Sequence, residues 1–160
     1  MLLAVYGLRR KEVVNLLLED LDWKNEAIYI RRAKGTKPQV FPLSKTVGDS
    51  ILRYLKKART KGCLHREVFL KTKVPNEPLT APSVTAIASK YLKPMNLPIQ
   101  HHGAHALRHA CATHLMQENI SLKEISEHLG HKNLDSTRVY AKVDINGLRK
   151  VADFDFGGVL

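Results

Sequence analysis

Seven of the eight histidines fall between positions 101 and 131, and among them stands the tetrapeptide His105-Ala106-Leu107-Arg108. On a helix, residues three apart share a face, so an imidazole and a guanidinium would project to the same side. That pair suits a phosphate group. A guanidinium offers a planar fork of charge-assisted donors, and a neutral imidazole exchanges protons near neutral pH. By itself the tetrapeptide is a weak signal and reads first as a surface helix with two polar residues. The histidine clustering also raises metal binding, and His105 and His109, four apart, would pair on a helix. However, there is no HExxH, no CxxC and no acidic residue between His101 and His114, so neither a metal nor another cofactor is expected.

Further elements accompany this one along the chain. Gly7-Leu8-Arg9-Arg10-Lys11-Glu12 lies near the start, Ala33-Lys34-Gly35-Thr36-Lys37 is followed by Val40-Phe41-Pro42-Leu43, and Leu129-Gly130-His131 is followed by Ser136-Thr137-Arg138-Val139-Tyr140. Of five tyrosines, only Tyr140 comes after the histidine cluster. In order and spacing this set, with HALRHACATHL at 105–115, resembles the catalytic domain of the tyrosine recombinases, or phage integrases. Each piece alone is weak, whereas the ordered set is specific and runs over nearly the whole chain.

The resemblance implies roles residue by residue. Arg9 and Arg108 would bind the scissile phosphate, Lys34 would be the general acid, with Lys37 close enough to leave that choice open, and His105 would assist proton transfer. His131 would hydrogen-bond the phosphate, Tyr140 would be the nucleophile, and Glu12 would support the geometry. The fold implied is mainly α with a small antiparallel sheet (α+β). The activity implied is cleavage and rejoining of double-stranded DNA through a 3′-phosphotyrosyl link, without metal or ATP. The contrasting alternatives are a catalytically incompetent remnant that only binds DNA or a partner recombinase, and a metal-dependent hydrolase built on the histidines. A type IB topoisomerase would share the chemistry, but GLR and LGH look more like the recombinase branch. The resemblance also implies self-association on DNA, as a dimer on a site and a tetramer in synapsis, with residues 144–160 as a protomer contact. With its first arginine at position 9, the chain is expected to be an N-terminally truncated catalytic domain spanning 1–160, with apolar surface left exposed near 1–8.

Composition is consistent with a DNA partner. The chain has 160 residues, 26 Lys plus Arg against 15 Asp plus Glu, and a formal charge of +11. A polyanion is the natural partner for such an excess. The excess is concentrated at 31–73, where Arg31, Arg32, Lys37, Arg53, Lys56 and Lys57 are candidates for contact with the DNA backbone. The longest apolar run, 1–8, is too short to span a membrane, and basic residues follow it instead of preceding it as in a secretory signal. A cytoplasmic location is expected. Cys63 and Cys111 have no pairing pattern and are expected to be free thiols.

Positioning these residues requires elements that the pattern of apolar positions outlines. Val13, Val14, Leu16, Leu17 and Leu21 predict a helix from 11 to about 20–23. Residues 27–32 and 39–43 predict a hairpin with lysines at its tip, and 68–70 a third strand. Ser44 would cap a helix with inner face Val47, Ile51, Tyr54, Leu55 and Ala58, stopped by Gly62. Further helices are predicted at 83–92, 104–118 and 122–129, the last with a Ser121/Glu124 capping box and a Gly130 stop, then at 134–140 and 146–151.

Overall fold

Alternation of apolar and polar residues builds the sheet. In the structure, a computed structural model that describes residues 1–32, 38–60, 62–99 and 102–130, strand β2 (Ala27–Ile30) pairs antiparallel with β3 (Gln39–Pro42). Ile28 lies opposite Phe41 and Ile30 opposite Gln39. Ile28, Ile30 and Phe41 are buried, as a period of two requires of one face. Pro42, which has no N–H for a ladder, falls on an edge strand of a three-stranded sheet in which β2 is central and β1 (Leu21–Asp22) is the other edge. Lys34 and Lys37, between β2 and β3, lie outside the described residues, as do 131–160 with the predicted helices at 134–140 and 146–151 and the segment 144–160.

The helix predicted from 11 to 20–23 is not formed. Instead a short helix α2 (Arg10–Val14) is followed by a 3₁₀ turn (Leu18–Asp20) and strand β1 (Leu21–Asp22), which pairs with β2. Competing backbone partners explain the difference. The Asp20 carboxylate accepts the Leu17 N–H at 2.9 Å, and the main chain pairs across to the segment after the next helix, Leu18 N–H to Arg66 O at 2.9 Å and Val68 N–H to Leu16 O at 2.8 Å. An apolar run satisfied by cross-chain bonds has no need of a helix's internal ones. The same bonds displace the third strand expected at 68–70. That segment makes only isolated bridges, Leu17 with Glu67 and Leu70 with Pro78.

Helix α3 (Lys45–Lys57) buries Val47, Gly48 and Ile51. Ser44 occupies its N-cap position without a side-chain capping bond, and the helix ends at Lys57, before Gly62, leaving Ala58 as an exposed C-cap, not part of the inner face. Tyr54 and Arg59 tie the following loop to α3. The Tyr54 hydroxyl accepts the Leu70 N–H at 2.9 Å, and the Arg59 guanidinium donates to His65 O at 2.6 Å and Glu67 O at 3.3 Å. Helix α4 (Ala81–Leu92) begins two residues before the predicted start, with Pro82 in its first turn, where a missing N–H costs nothing.

The chain divides into two units, Met1–Arg9 with Thr85–Leu160, and Arg10–Val84. The first contains helices α1 (Leu2–Val5), α5 (Ala104–Gln117) and α6 (Leu122–Leu129). The expectation of exposed apolar surface near 1–8 is overturned: α1 packs on α5, and Leu2, Leu3, Tyr6 and Leu8 are buried, with Val5 exposed. Ala112, Ile125 and Leu129 form a core between α5 and α6, flanked by Leu115 and Met116. The capping box of α6 forms as its sequence predicts, Glu124 N–H to Ser121 Oγ at 3.3 Å and Ser121 N–H to Glu124 Oε2 at 3.1 Å. The Ser121 hydroxyl also donates to Glu124 Oε2 at 2.6 Å, and this bond first, then that from the Ser121 N–H, holds the Glu124 carboxyl below its ordinary range.

Tyr54→Phe would leave the N–H of Leu70, a buried residue, without its partner. A loss of about 1–3 kcal/mol is expected, read as a lower urea midpoint with an unchanged slope.

Candidate active site

Alanine spacing explains why α5 can carry a charged residue inward. Ala104, Ala106, Ala110 and Ala112 are all buried, and such small side chains let neighbouring backbone come close. Gly103, at the N-cap, is approached by a side chain: a Cβ there would lie 3.1 Å from Thr85 Cγ2. Arg108 is 5% exposed in this setting. A buried guanidinium must be hydrogen-bonded to be tolerated. Its Nη1 donates to Gly7 O and its Nη2 to Leu129 O, the latter at 2.7 Å.

Leu129 ends α6, and its carbonyl lacks a partner further along the helix. Gly130 follows in the left-handed conformation, φ +64°, and its own carbonyl accepts Arg9 Nη2 at 2.8 Å. Two arginines, 99 positions apart in sequence, therefore donate to successive carbonyls at the negative end of one helix dipole. The close of α6 positions both.

Gly7 is the residue whose importance the sequence did not announce. Its φ is +60°, a Cβ there would sit 2.5 Å from Leu129 Cδ2 and 3.2 Å from Cys111 Sγ, and its carbonyl is an Arg108 acceptor. The available signal was its place two residues before Arg9.

His105 does not follow Arg108 inward. It is exposed, and its ring meets that of His109, Nε2 to Nε2, at 2.6 Å with the planes at 88°. Among the described residues, no group of three or more His, Cys, Asp and Glu side chains could hold a metal ion. His131 and Tyr140 lie outside the described residues.

Cys63 and Cys111 are both free thiols. Cys111 Sγ faces Val5 O at 3.5 Å, and burial pushes its pKa from 9.0 up to about 11, against an opposing pull from the Arg108 charge.

Within the second unit, Glu12 is buried and faces Arg32 at 3.9 Å, and the Arg32 guanidinium lies 5.7 Å from the Phe41 ring centre. Arg31 pairs with Asp20 at 2.6 Å while half exposed. Of the candidate DNA-backbone contacts, Arg32 is thus turned inward, and Arg53, Lys56 and Lys57 are exposed along α3.

The Phage integrase family matches residues 1–146, and the chain belongs to that family. A putative integrase/recombinase, y4rA of Sinorhizobium fredii, is 38% identical over 151 residues, covering 94% of this chain and 36% of its own length. Tyrosine recombinase XerA of Pyrococcus horikoshii is 34% identical over 155 residues, covering 95% of this chain and 52% of its own. Among solved structures, XerH site-specific recombinase bound to the palindromic difH substrate as a post-cleavage complex superposes with a TM-score of 0.75 at 26% identity, covering 96% of this chain and 43% of its own. The chain thus spans about half or less of the length of these relatives. Its helix-rich architecture with a three-stranded antiparallel sheet is the fold of tyrosine recombinase catalytic domains. Among the described residues, no helix is long and apolar enough to cross a membrane.

Gly7→Ala places a Cβ on Leu129 in a left-handed backbone. Destabilisation of about 1–3 kcal/mol is expected, measurable by urea unfolding as a lower midpoint.

A second test is pH. The Cys111 thiol's pKa is raised on folding, so its contribution is whole below pH 9.0 and declines as pH rises towards about 11. Thermal melts between those values should fall more steeply for the native chain than for Cys111→Ala.

Proposed function

We propose that the chain carries the strand-cleavage and rejoining chemistry of a site-specific DNA recombinase, with residues 1–160 forming its catalytic domain. The observation that supports this best is the anchoring of Arg9 and Arg108 on adjacent carbonyls at the end of α6, next to His131 in sequence. A guanidinium carries five N–H donors, so one side chain can make a backbone anchor and also grip a phosphate oxygen. Phosphoryl transfer depends mainly on such positioning and on stabilising charge at the non-bridging oxygens.

In the proposed step Arg9, Arg108 and His131 hold the phosphate. The Tyr140 phenol loses its proton, assisted by His105, and its oxygen forms a bond to phosphorus. The bond to the 5′ oxygen breaks as that oxygen takes a proton from Lys34, or from Lys37 in the alternative assignment. The product is a 3′-phosphotyrosyl link with a free 5′ hydroxyl. Attack by another 5′ hydroxyl reverses the step, so rejoining needs no external energy source.

Double-stranded DNA is the partner, with Arg53, Lys56 and Lys57 as backbone contacts. Such contacts give salt-dependent binding without sequence preference. Residues 144–160 would bridge protomers in a dimer on a site and a tetramer in synapsis, and Glu12 would support the geometry of the site.

A nicked suicide duplex carrying a recombination core should trap a covalent protein–DNA adduct on a denaturing gel. Tyr140→Phe should abolish it while DNA still shifts in a native gel. An adduct that survives Tyr140→Phe overturns the nucleophile. DNA shift with no adduct from the unaltered chain supports the binding-only alternative. Arg9→Ala should slow adduct formation by on the order of 10²-fold or more.

A further inference from the structure

We infer that the loop following α3 enters a groove of duplex DNA with two apolar side chains, Leu64 and Val74. Leu64 is 95% exposed and Val74 89%, the two most exposed large apolar residues among those described. A lone exposed apolar side chain needs no explanation. These two stand on neighbouring stretches of one loop. Cys63 Sγ lies 3.9 Å from Asn76 O, which lays the stretch bearing Leu64 against the stretch bearing Val74. The Glu77 carboxyl, held below its ordinary range first by its Lys71 hydrogen bond, also feels the charge of His65 from the facing stretch.

The loop is anchored beneath its tips. Arg59 donates to His65 O and Glu67 O, Asn76 Nδ2 to Lys71 O at 3.1 Å, the Lys71 N–H to Glu77 O at 2.8 Å, and the Leu79 N–H to Phe69 O at 2.9 Å. Backbone held by that many cross-links has lost its freedom on folding, so presenting the tips to a partner costs little further ordering. Loops positioned in this way by a rigid scaffold commonly carry binding contacts. A surface that covers Leu64 and Val74 recovers the free energy of apolar burial, which water does not supply.

The charge around the pair fits DNA. Lys56 and Lys57 stand exposed at the end of α3, just before Arg59 ties the chain to 65–67, and exposed Lys73 immediately precedes Val74. The acidic residues of the loop are already engaged, Glu77 by Lys71 at 2.7 Å and Glu67 by His65 at 3.9 Å. Cations beside an apolar tip match a groove rimmed by phosphates and floored by sugars and base edges. Proteins that enter the minor groove use this combination, inserting an apolar side chain at a base step while Lys or Arg engages the groove beside it. The loop is also continuous in sequence with Arg53, Lys56 and Lys57, so one duplex can meet both; the choice of DNA rests on the partner proposed above.

Leu64→Ala/Val74→Ala removes apolar surface and no charge. Its affinity for a duplex carrying the recombination core, followed by fluorescence anisotropy over a range of salt, should fall about tenfold with the slope of log K against log salt unchanged. Lys73→Ala should instead lower that slope by about one. With 2-aminopurine at successive positions of the same duplex, the native chain should brighten one step by unstacking it, and the double variant should not. Leu64→Met/Val74→Ile, which keeps the apolar bulk, should bind as the native chain does, separating a lost contact from a lost fold. Unchanged affinity in the double Ala variant, or no brightening at any step with the native chain, overturns the inference while leaving DNA binding intact. So does a native chain that self-associates in sedimentation without DNA and becomes monomeric in the double Ala variant at unchanged DNA affinity, the behaviour of a protein contact. A native chain with no affinity for the duplex refutes the DNA-partner reading itself, and the inference falls with it.

Discussion

A buried positive charge has to be satisfied by the groups around it, and in this protein that requirement organises one whole unit. Arg108 lies inside, and the cost of taking a guanidinium out of water is offset only by acceptors held at the right place. The acceptors are backbone carbonyls, from Gly7 and Leu129. Side-chain carboxylates would neutralise the guanidinium's charge. Carbonyl dipoles do not, and those at a helix C-terminus have no competing intrahelical partner.

Much of the neighbouring sequence follows from that choice. The Gly7 carbonyl reaches Arg108 only from a backbone in the left-handed region, and Leu129 leaves no room for a Cβ there. The Leu129 carbonyl is available because Gly130 turns the chain out of the helix, and the turn exposes a second carbonyl to Arg9. Alanines on α5 let these backbones approach. Cys111, beside Gly7, gains burial and loses acidity, which keeps a potential nucleophile inert next to the site. Glycines, arginines and alanines that look unrelated along the chain are thus answers to one electrostatic problem.

What the sequence disclosed and what it did not divide along physical lines. The α6 capping box, the Gly130 stop, the 104–117 helix and the 27–42 hairpin are local: their determinants lie within a few residues, and they were legible. The stretch after Arg10 was not. Its apolar spacing suits a helix, but Leu16 to Leu18 bond to main chain some fifty positions away, and no local pattern reports a partner at that distance. The same limit explains the misplaced third strand and the burial of Leu2, Leu3, Tyr6 and Leu8, since a short apolar helix reads alike with or without a covering surface. Among the site residues, Arg9 and Arg108 were identified by order and resemblance, yet that both use the end of α6 is a three-dimensional fact. So is the difference in burial between exposed His105 and buried Arg108 on the same helix.

The formal charge of +11 also takes on a different meaning once the side chains are located. Arg9, Arg108, Arg59, Arg31 and Arg32 are each committed to a carbonyl, a carboxylate or an aromatic ring. Arg53, Lys56 and Lys57 stand in solvent on α3. The two groups respond to salt differently, because screening weakens exposed charges far more than buried or paired ones. Exposed lysines can attract a polyanion over distance and release it as ionic strength rises. Anchored arginines contribute little to that attraction but hold their geometry, which is what stabilisation of a transition state demands. Basic charge in this chain therefore falls into two separable groups, and only burial and bonding, not its count, tell them apart.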